Sequence, residues 1–404
     1  MRIRKTNIFS ILLLGFILRI LIGTFTINWD FLKTTQLTAK LFNSDLAELY
    51  SYSLSLYPVL TYWTRYAFMF LSKPILSNNF LSWTASADLT AISDPHIFRY
   101  LFVLKLPFII IEIATAYIFS LLIPFKKRAS FLFIWMFNPI ALYTVSAFTN
   151  VDVFPLFFIA MSLMLYVNNK TYFSSFFLGV GAAYKFFPAL IMPYILFSAK
   201  NWKERFYLAI IFLIPFIGSQ LSAFGIADYW KNSLFAGANR SIFTATLDIG
   251  HNKLLIYFVL IYVLLFFFFI SSRQKKGVTP VYYFLALVPV FIISAFNIQW
   301  VYWILPLILF YQLYFQQEKI VLLFLHISFL GIIILSQWAL HIGMLAPVAP
   351  SLWTFDRPLN KFMANNDAIF LVNIFYTVFA ACVIFISYRV YKLKKFFMQT
   401  DEIS

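Results

Sequence analysis

Asp30 follows directly on the first long apolar run, after Thr26-Ile27-Asn28-Trp29, and Asp152 stands in Asn150-Val151-Asp152 between two later ones. A carboxylate at such an edge is partly desolvated, which raises its pKa, and within reach of a hydroxyl it can act as a general base. Each acid also has an ordinary reading: Asp30 as a solvated helix-end aspartate, Asp152 as an N-terminal helix cap. Lys185 ends the run Gly179-Val180-Gly181-Ala182-Ala183-Tyr184, with Pro188 and Pro193 beyond it. A cation at a helix break within apolar sequence suits phosphate binding, although a lysine there can also snorkel to an interface. Lys105 and Glu112 lie two helical turns apart in one apolar run and are expected to satisfy one another, while Arg19 is free to pair with any buried acid.

Two later segments add polar groups. The stretch 226–252 holds Trp230, Arg240, Asp248 and His251, a mixture suited to sugar stacking and phosphate pairing and equally ordinary for an interfacial loop. Asn297-Ile298-Gln299-Trp300-Val301-Tyr302-Trp303 reads as a tight turn whose rings form an aromatic belt. Other chemistries lack their signatures. The four histidines, at 96, 251, 326 and 341, show neither HExxH nor Cys/His spacing, so no metal site is read. There is no P-loop, no GxGxxG and no GxSxG elbow.

The elements that must position these groups are membrane helices. With 62% hydrophobic residues, 11% charged and 52 Phe, the chain has too little polar surface for a soluble protein of this length. Long apolar runs, rather than short alternating ones, predict an all-α polytopic membrane protein instead of a β-barrel. About twelve spans (11–13) are expected, near 7–25, 100–124, 129–148, 152–168, 173–183, 185–198, 205–225, 253–272, 279–296, 299–316, 320–343 and 368–391. The fifth and sixth are short and read as one broken pair. The first run has a signal-like basic flank without a small-residue cleavage site and reads as a retained helix.

With both termini cytoplasmic, the inner segments hold eighteen basic residues against four acidic ones, and ten of the fifteen acids fall outside. The net charge of +16 is thus explained by topology, with no nucleic-acid partner. The single Cys382 excludes an internal disulfide framework. Residues 26–97 form a long outer loop in which VLTYWTRYAFMFLS, carrying Arg65, is expected to lie along the interface as an amphipathic helix. Residues 1–225 read as the catalytic membrane module and 226–404 as a variable one, with no separate soluble domain.

The order and sidedness of these pieces resemble the integral-membrane glycosyltransferases of the GT-C superfamily, especially mannosyltransferase-like members that use polyprenyl-phosphate sugars. The resemblance rests on Asp30 after the first span, Tyr57-Pro58, Lys105-Leu106-Pro107 with Glu112, Asn138-Pro139, Asn150 with Asp152, the Gly179-to-Lys185 run, and the Gln299-to-Pro306 segment. It implies Asp30 as catalytic base, Asp152 as a substrate contact and Lys185 as a candidate for the lipid phosphate. Asn150, Tyr57, Lys105 and Gln299 are further expected substrate contacts within that pattern, and Arg240 and His251 of the 226–252 stretch are expected to pair with the phosphate. The implied partners are a polyprenyl-phosphate-linked sugar donor, a lipid-linked or glycan acceptor and membrane lipids, with a prokaryotic plasma membrane favoured over the endoplasmic reticulum.

The sequence departs from the pattern in three places. Phe31 and Leu32 stand where the second acid of a DxD-type pair is usual, leaving a requirement for Mn or Mg open. Thr149 replaces a small Gly, and Glu112 replaces an Asp. A transporter or flippase of lipid-linked sugars is the competing expectation, weakened because the break near residue 184 has no counterpart in the second half. A membrane acyltransferase, with His326 or His341 as its histidine, ranks last.

Overall fold

The computed structural model describes residues 8–234, 241–250, 253–272, 275–294, 296–335, 340–354 and 365–393. Apolar sequence with polar breaks yields an almost entirely helical chain, as expected. Its first elements are α1 (Ile8–Phe25), α2 (Trp29–Lys40), α3 (Leu46–Ser51), α4 (Val59–Ser72), α5 (Phe80–Ala85), α6 (Asp88–Ile92) and α7 (Ile97–Leu121). There follow α8 (Phe125–Met136), the single turn α9 (Pro139–Ala141), a π-helical segment Leu142–Ala147, α10 (Val153–Val167) and α11 (Thr171–Tyr184).

Among the described residues, four helical stretches are long and apolar enough to cross a membrane: α1, α7, Lys275–Ile293 and Asp367–Lys392. A fifth is the pair Phe125–Met136 and Pro139–Ala147, bent by 48°. Helix length therefore supports a polytopic chain without reaching twelve crossings. Several expected spans are shorter apolar helices, such as Val153–Val167, Tyr257–Ser271 and Lys319–Leu335. At about 1.5 Å per residue these fall short of a bilayer core of about 30 Å.

Close helix contacts replace the hydrophobic drive that lipid does not supply. A Cβ on Gly179 would lie 2.2 Å from the Phe212 carbonyl oxygen, so only glycine lets α11 approach the helix Trp202–Gly218 this closely. The later part of the chain packs into the earlier part: Phe119 meets Phe284 and Phe310, and Ser162 and Ser174 both bond the Tyr283 hydroxyl.

The long first loop is more structured than the sequence revealed. Three short helices, α3, α5 and α6, accompany α2 and α4, tied by the Lys33–Asp88 ion pair at 2.5 Å and by Trp83 Nε1 donating to the Ala91 carbonyl. Helices of five or six residues carry too little periodicity to be read from sequence. A second difference concerns the eighth expected span. Leu254–Ile256 pairs antiparallel with Thr246–Asp248 as a two-stranded sheet, and the helix begins only at Tyr257.

Candidate functional site

Asp30 is delivered by a linker held from two sides. The Ile27 N–H donates to the Met344 carbonyl at 2.8 Å, and Lys105 Nζ donates to the Thr26 carbonyl at 2.8 Å. Asn28 then caps α2, its side chain accepting from the Asp30 N–H. This places Asp30 in the first helical turn, where the helix dipole favours a carboxylate.

The carboxylate is not a solvated helix end. Its Oδ2 accepts from the Tyr57 hydroxyl at 2.8 Å and from Asn150 Nδ2 at 3.2 Å, yet the residue remains partly accessible. Tyr57 is itself fixed, its carbonyl accepting from the Tyr50 hydroxyl, with Pro58 capping α4 behind it. Burial raises the Asp30 carboxyl above the ordinary aspartate range, and nearby Asp152 pushes the same way. The Tyr57 hydrogen bond and the charges of Lys185 and Arg65 oppose that shift. Burial together with the neighbouring carboxylates keeps the Tyr57 phenol protonated.

Asp152 was expected to cap α10. Its backbone is helical (φ −56°), not in the extended conformation typical of a cap, and its side chain makes no capping bond. Instead Oδ1 accepts from Lys185 Nζ at 2.7 Å. Oδ2 is buried and has no hydrogen-bond partner among the described residues. The turn before it explains why a glycine is usual there: Thr149 has φ +58°, a left-handed conformation that is strained for a β-branched residue. That turn aims Asn150 at Asp30.

Lys185 lies where α11 breaks, with an extended backbone (φ −163°, ψ 140°). Its ammonium stands 5.3 and 5.2 Å from the ring centres of Trp300 and Trp303, and 6.0 Å from that of Tyr57. Trp300 and Trp303 belong to a 3₁₀ turn, Ile298–Ile304, in which residues i and i+3 eclipse, so their rings stack at 4.9 Å. The expected aromatic belt is thus a buried wall, with Gln299 buried beside it.

The proposed pairing of Lys105 with Glu112 does not form. Glu112 bonds Arg19, with Nε to Oε2 at 2.5 Å and Nη2 to Oε1 at 2.8 Å, and accepts from Trp135 Nε1 at 2.7 Å. Lys105 Nζ turns to the carbonyls of Thr26, Ser146 and Ala147. It joins the end of α1 to the π-helical segment and so positions both arms of the site. A face shared along one helix could not reveal either partner, because both lie on other helices.

Sequence reading passed over Arg65 as a site neighbour. Its guanidinium donates to Thr35 Oγ1 at 2.7 Å and lies over Phe31 and Phe108. Arg240 and His251 lie outside the described residues. His326 bonds the Leu322 carbonyl of its own helix, far in role from an acyl-transfer base. A groove of about 550 Å³ runs along α2 beyond Asp30, lined among others by Lys33, Gln36, Lys40, Asn43, Tyr52 and Ser86.

Among the described residues no three His, Cys, Asp or Glu side chains cluster as ligands. Asp30 is engaged by Tyr57 and Asn150, and the Lys185 ammonium already supplies positive charge beside both acids.

An apolar helical bundle that gathers a carboxylate, a cation and an aromatic wall in one place defines an integral-membrane protein with a polar site among its helices. The chain belongs to glycosyltransferase family 87, whose family model matches residues 101–303, half of its 404 residues. That match takes in Asn150, Asp152, Lys185 and the Trp300–Trp303 wall, while Asp30 and Tyr57 precede it. No curated protein matches the chain. The chain is therefore a glycosyltransferase.

Proposed function

We propose that this glycosyltransferase moves a hexose of mannose or glucose type from a polyprenyl-phosphate donor to a lipid-linked or glycan acceptor, with inversion, at the outer face of a prokaryotic plasma membrane. Both termini are cytoplasmic in this reading, and the chain crosses about twelve times. The observation that carries it is the Asp30 carboxylate, held by Tyr57 and Asn150 beside the Lys185–Asp152 pair.

The acceptor hydroxyl gives up its proton to the Asp30 carboxylate. Its oxygen bonds to the anomeric carbon as the bond from that carbon to the phosphate oxygen breaks. The lipid phosphate leaves with the electron pair, and Lys185 meets its charge. Tyr57 and Asn150 both bond Oδ2 and so orient Asp30, leaving Oδ1 with only a long 3.5 Å contact to the Thr34 hydroxyl. No activated nucleotide is needed, in keeping with the lack of a nucleotide motif.

Purified protein in proteoliposomes, given polyprenyl-phosphate mannose or glucose, tests this reading. Asp30→Asn should lower transfer by about 10²–10⁴-fold while expression is retained. In the parent, kcat/KM should rise with pH along an acidic limb whose midpoint lies above the ordinary aspartate value of 3.8, because the base is lost as pH falls through its raised pKa. Normal turnover by Asp30→Asn would remove the base, and donor flux across the bilayer without transfer would favour the flippase.

A further inference from the structure

Beside Lys185 the structure holds two hydrogen-bonding atoms with nothing to bond. Asp152 Oδ2 and Trp303 Nε1 are both buried without a partner among the described residues, and their residues are 2% and 4% exposed. Buried polar groups in folded proteins are nearly always satisfied, so two orphans around one cation point to a missing ligand. They are also complementary: the carboxylate oxygen only accepts, and the indole N–H only donates.

Trp303 cannot turn to find a partner. Phe187 stacks on it at 3.9 Å and 10°, Trp300 at 4.9 Å and 16°, and Phe291 meets it edge-on at 6.0 Å. Both faces of the indole are therefore covered, and what it offers a ligand is its N–H edge in a fixed direction. Asp152 is fixed as well, one oxygen being held by Lys185. Lys185 is the most exposed of the three, its side chain 14% exposed on a flexible stem, so its ammonium is within reach of an arriving anion.

We propose that Trp303 and Asp152 form a sugar-reading subsite, in which Asp152 Oδ2 accepts from one hydroxyl of the donor hexose and Trp303 Nε1 donates to another oxygen of the same ring, beside the phosphate held by Lys185. An anion alone does not match it, because a phosphate would face the carboxylate oxygen. A neutral polyol attached to a phosphate satisfies the whole cluster. This subsite rests on the donor class proposed above and names the residues that distinguish the sugar-bearing lipid from the bare one.

The test compares binding of polyprenyl phosphate with that of polyprenyl-phosphate mannose and polyprenyl-phosphate glucose to the full-length protein in detergent. The parent should bind at least one sugar-bearing lipid more tightly than the bare phosphate. Trp303→Phe keeps a stacked six-membered ring and loses the N–H together with the rest of the five-membered ring; it should reduce that preference about tenfold, with bare-phosphate affinity, the control for the lost ring area, changing less than about threefold. Asp152→Asn, which is isosteric, should also reduce the preference and provides the second reading should the first variant be poorly folded. An unchanged preference in both variants overturns the subsite and leaves the donor class standing. Failure of the parent to bind any of the three lipids overturns the donor class and the subsite with it.

Discussion

Arg19–Glu112 and Lys185–Asp152 are both buried ion pairs in an apolar bundle, and they are finished to different degrees. Arg19 and Glu112 are fully enclosed, their side chains meet at two points, and Trp135, Met136 and Gly15 take up the remaining bonding capacity. Lys185 and Asp152 share one bond, the lysine is partly exposed, and one carboxylate oxygen has no partner among the described residues. A charge buried in a low-dielectric setting must be compensated by something. Where the protein provides all of the compensation, the pair joins α1, α7 and α8. Where it provides only part, the rest is left to a ligand.

The sharpest way to break this comparison is Glu112→Ala. It strands the Arg19 guanidinium, a loss of about 3–5 kcal/mol, and should remove most folded, monodisperse protein from size-exclusion profiles. Lys185→Met comes next. It should lower the thermal midpoint less than Glu112→Ala does and still reduce transfer at least about tenfold, through weaker donor binding. If the two variants lose folded protein equally, the division between structural and functional pairs fails. The smallest effect is expected at Thr149→Gly. Relief of the left-handed threonine, offset by loss of its hydroxyl bond to the Val145 carbonyl, should change stability by under about 1 kcal/mol in the stabilising direction. Transfer should stay within about twofold of the parent. A large loss of transfer there would mean that the strain itself aims Asn150.

The sequence showed which side chains were out of place, and seldom what they touch. Asp30, Asp152 and Lys185 stood out because charge at the edge of an apolar run is costly, and the structure brings them into one neighbourhood with Tyr57 and Asn150. The partners of Lys105 and Glu112 were misjudged because a shared helix face says nothing about the neighbouring helix. Asp152 was read as a cap because position along the chain does not fix φ and ψ. Trp303 passed as part of an interfacial belt. Its i, i+3 spacing from Trp300 was visible, but the spacing stacks two rings only in a 3₁₀ turn, and the choice between 3₁₀ and α geometry depends on what packs around it.

The break at Lys185 and the turn at Trp300–Trp303 also bear on how the site is made. Asp30 and Tyr57 emerge early from the ribosome, Asn150 and Asp152 later, and the tryptophan wall last. A nascent chain that has inserted its first half already carries the carboxylate but lacks the wall. The wall that stacks on Phe187 therefore completes the surroundings of Lys185 only once the segment around residue 303 has been made.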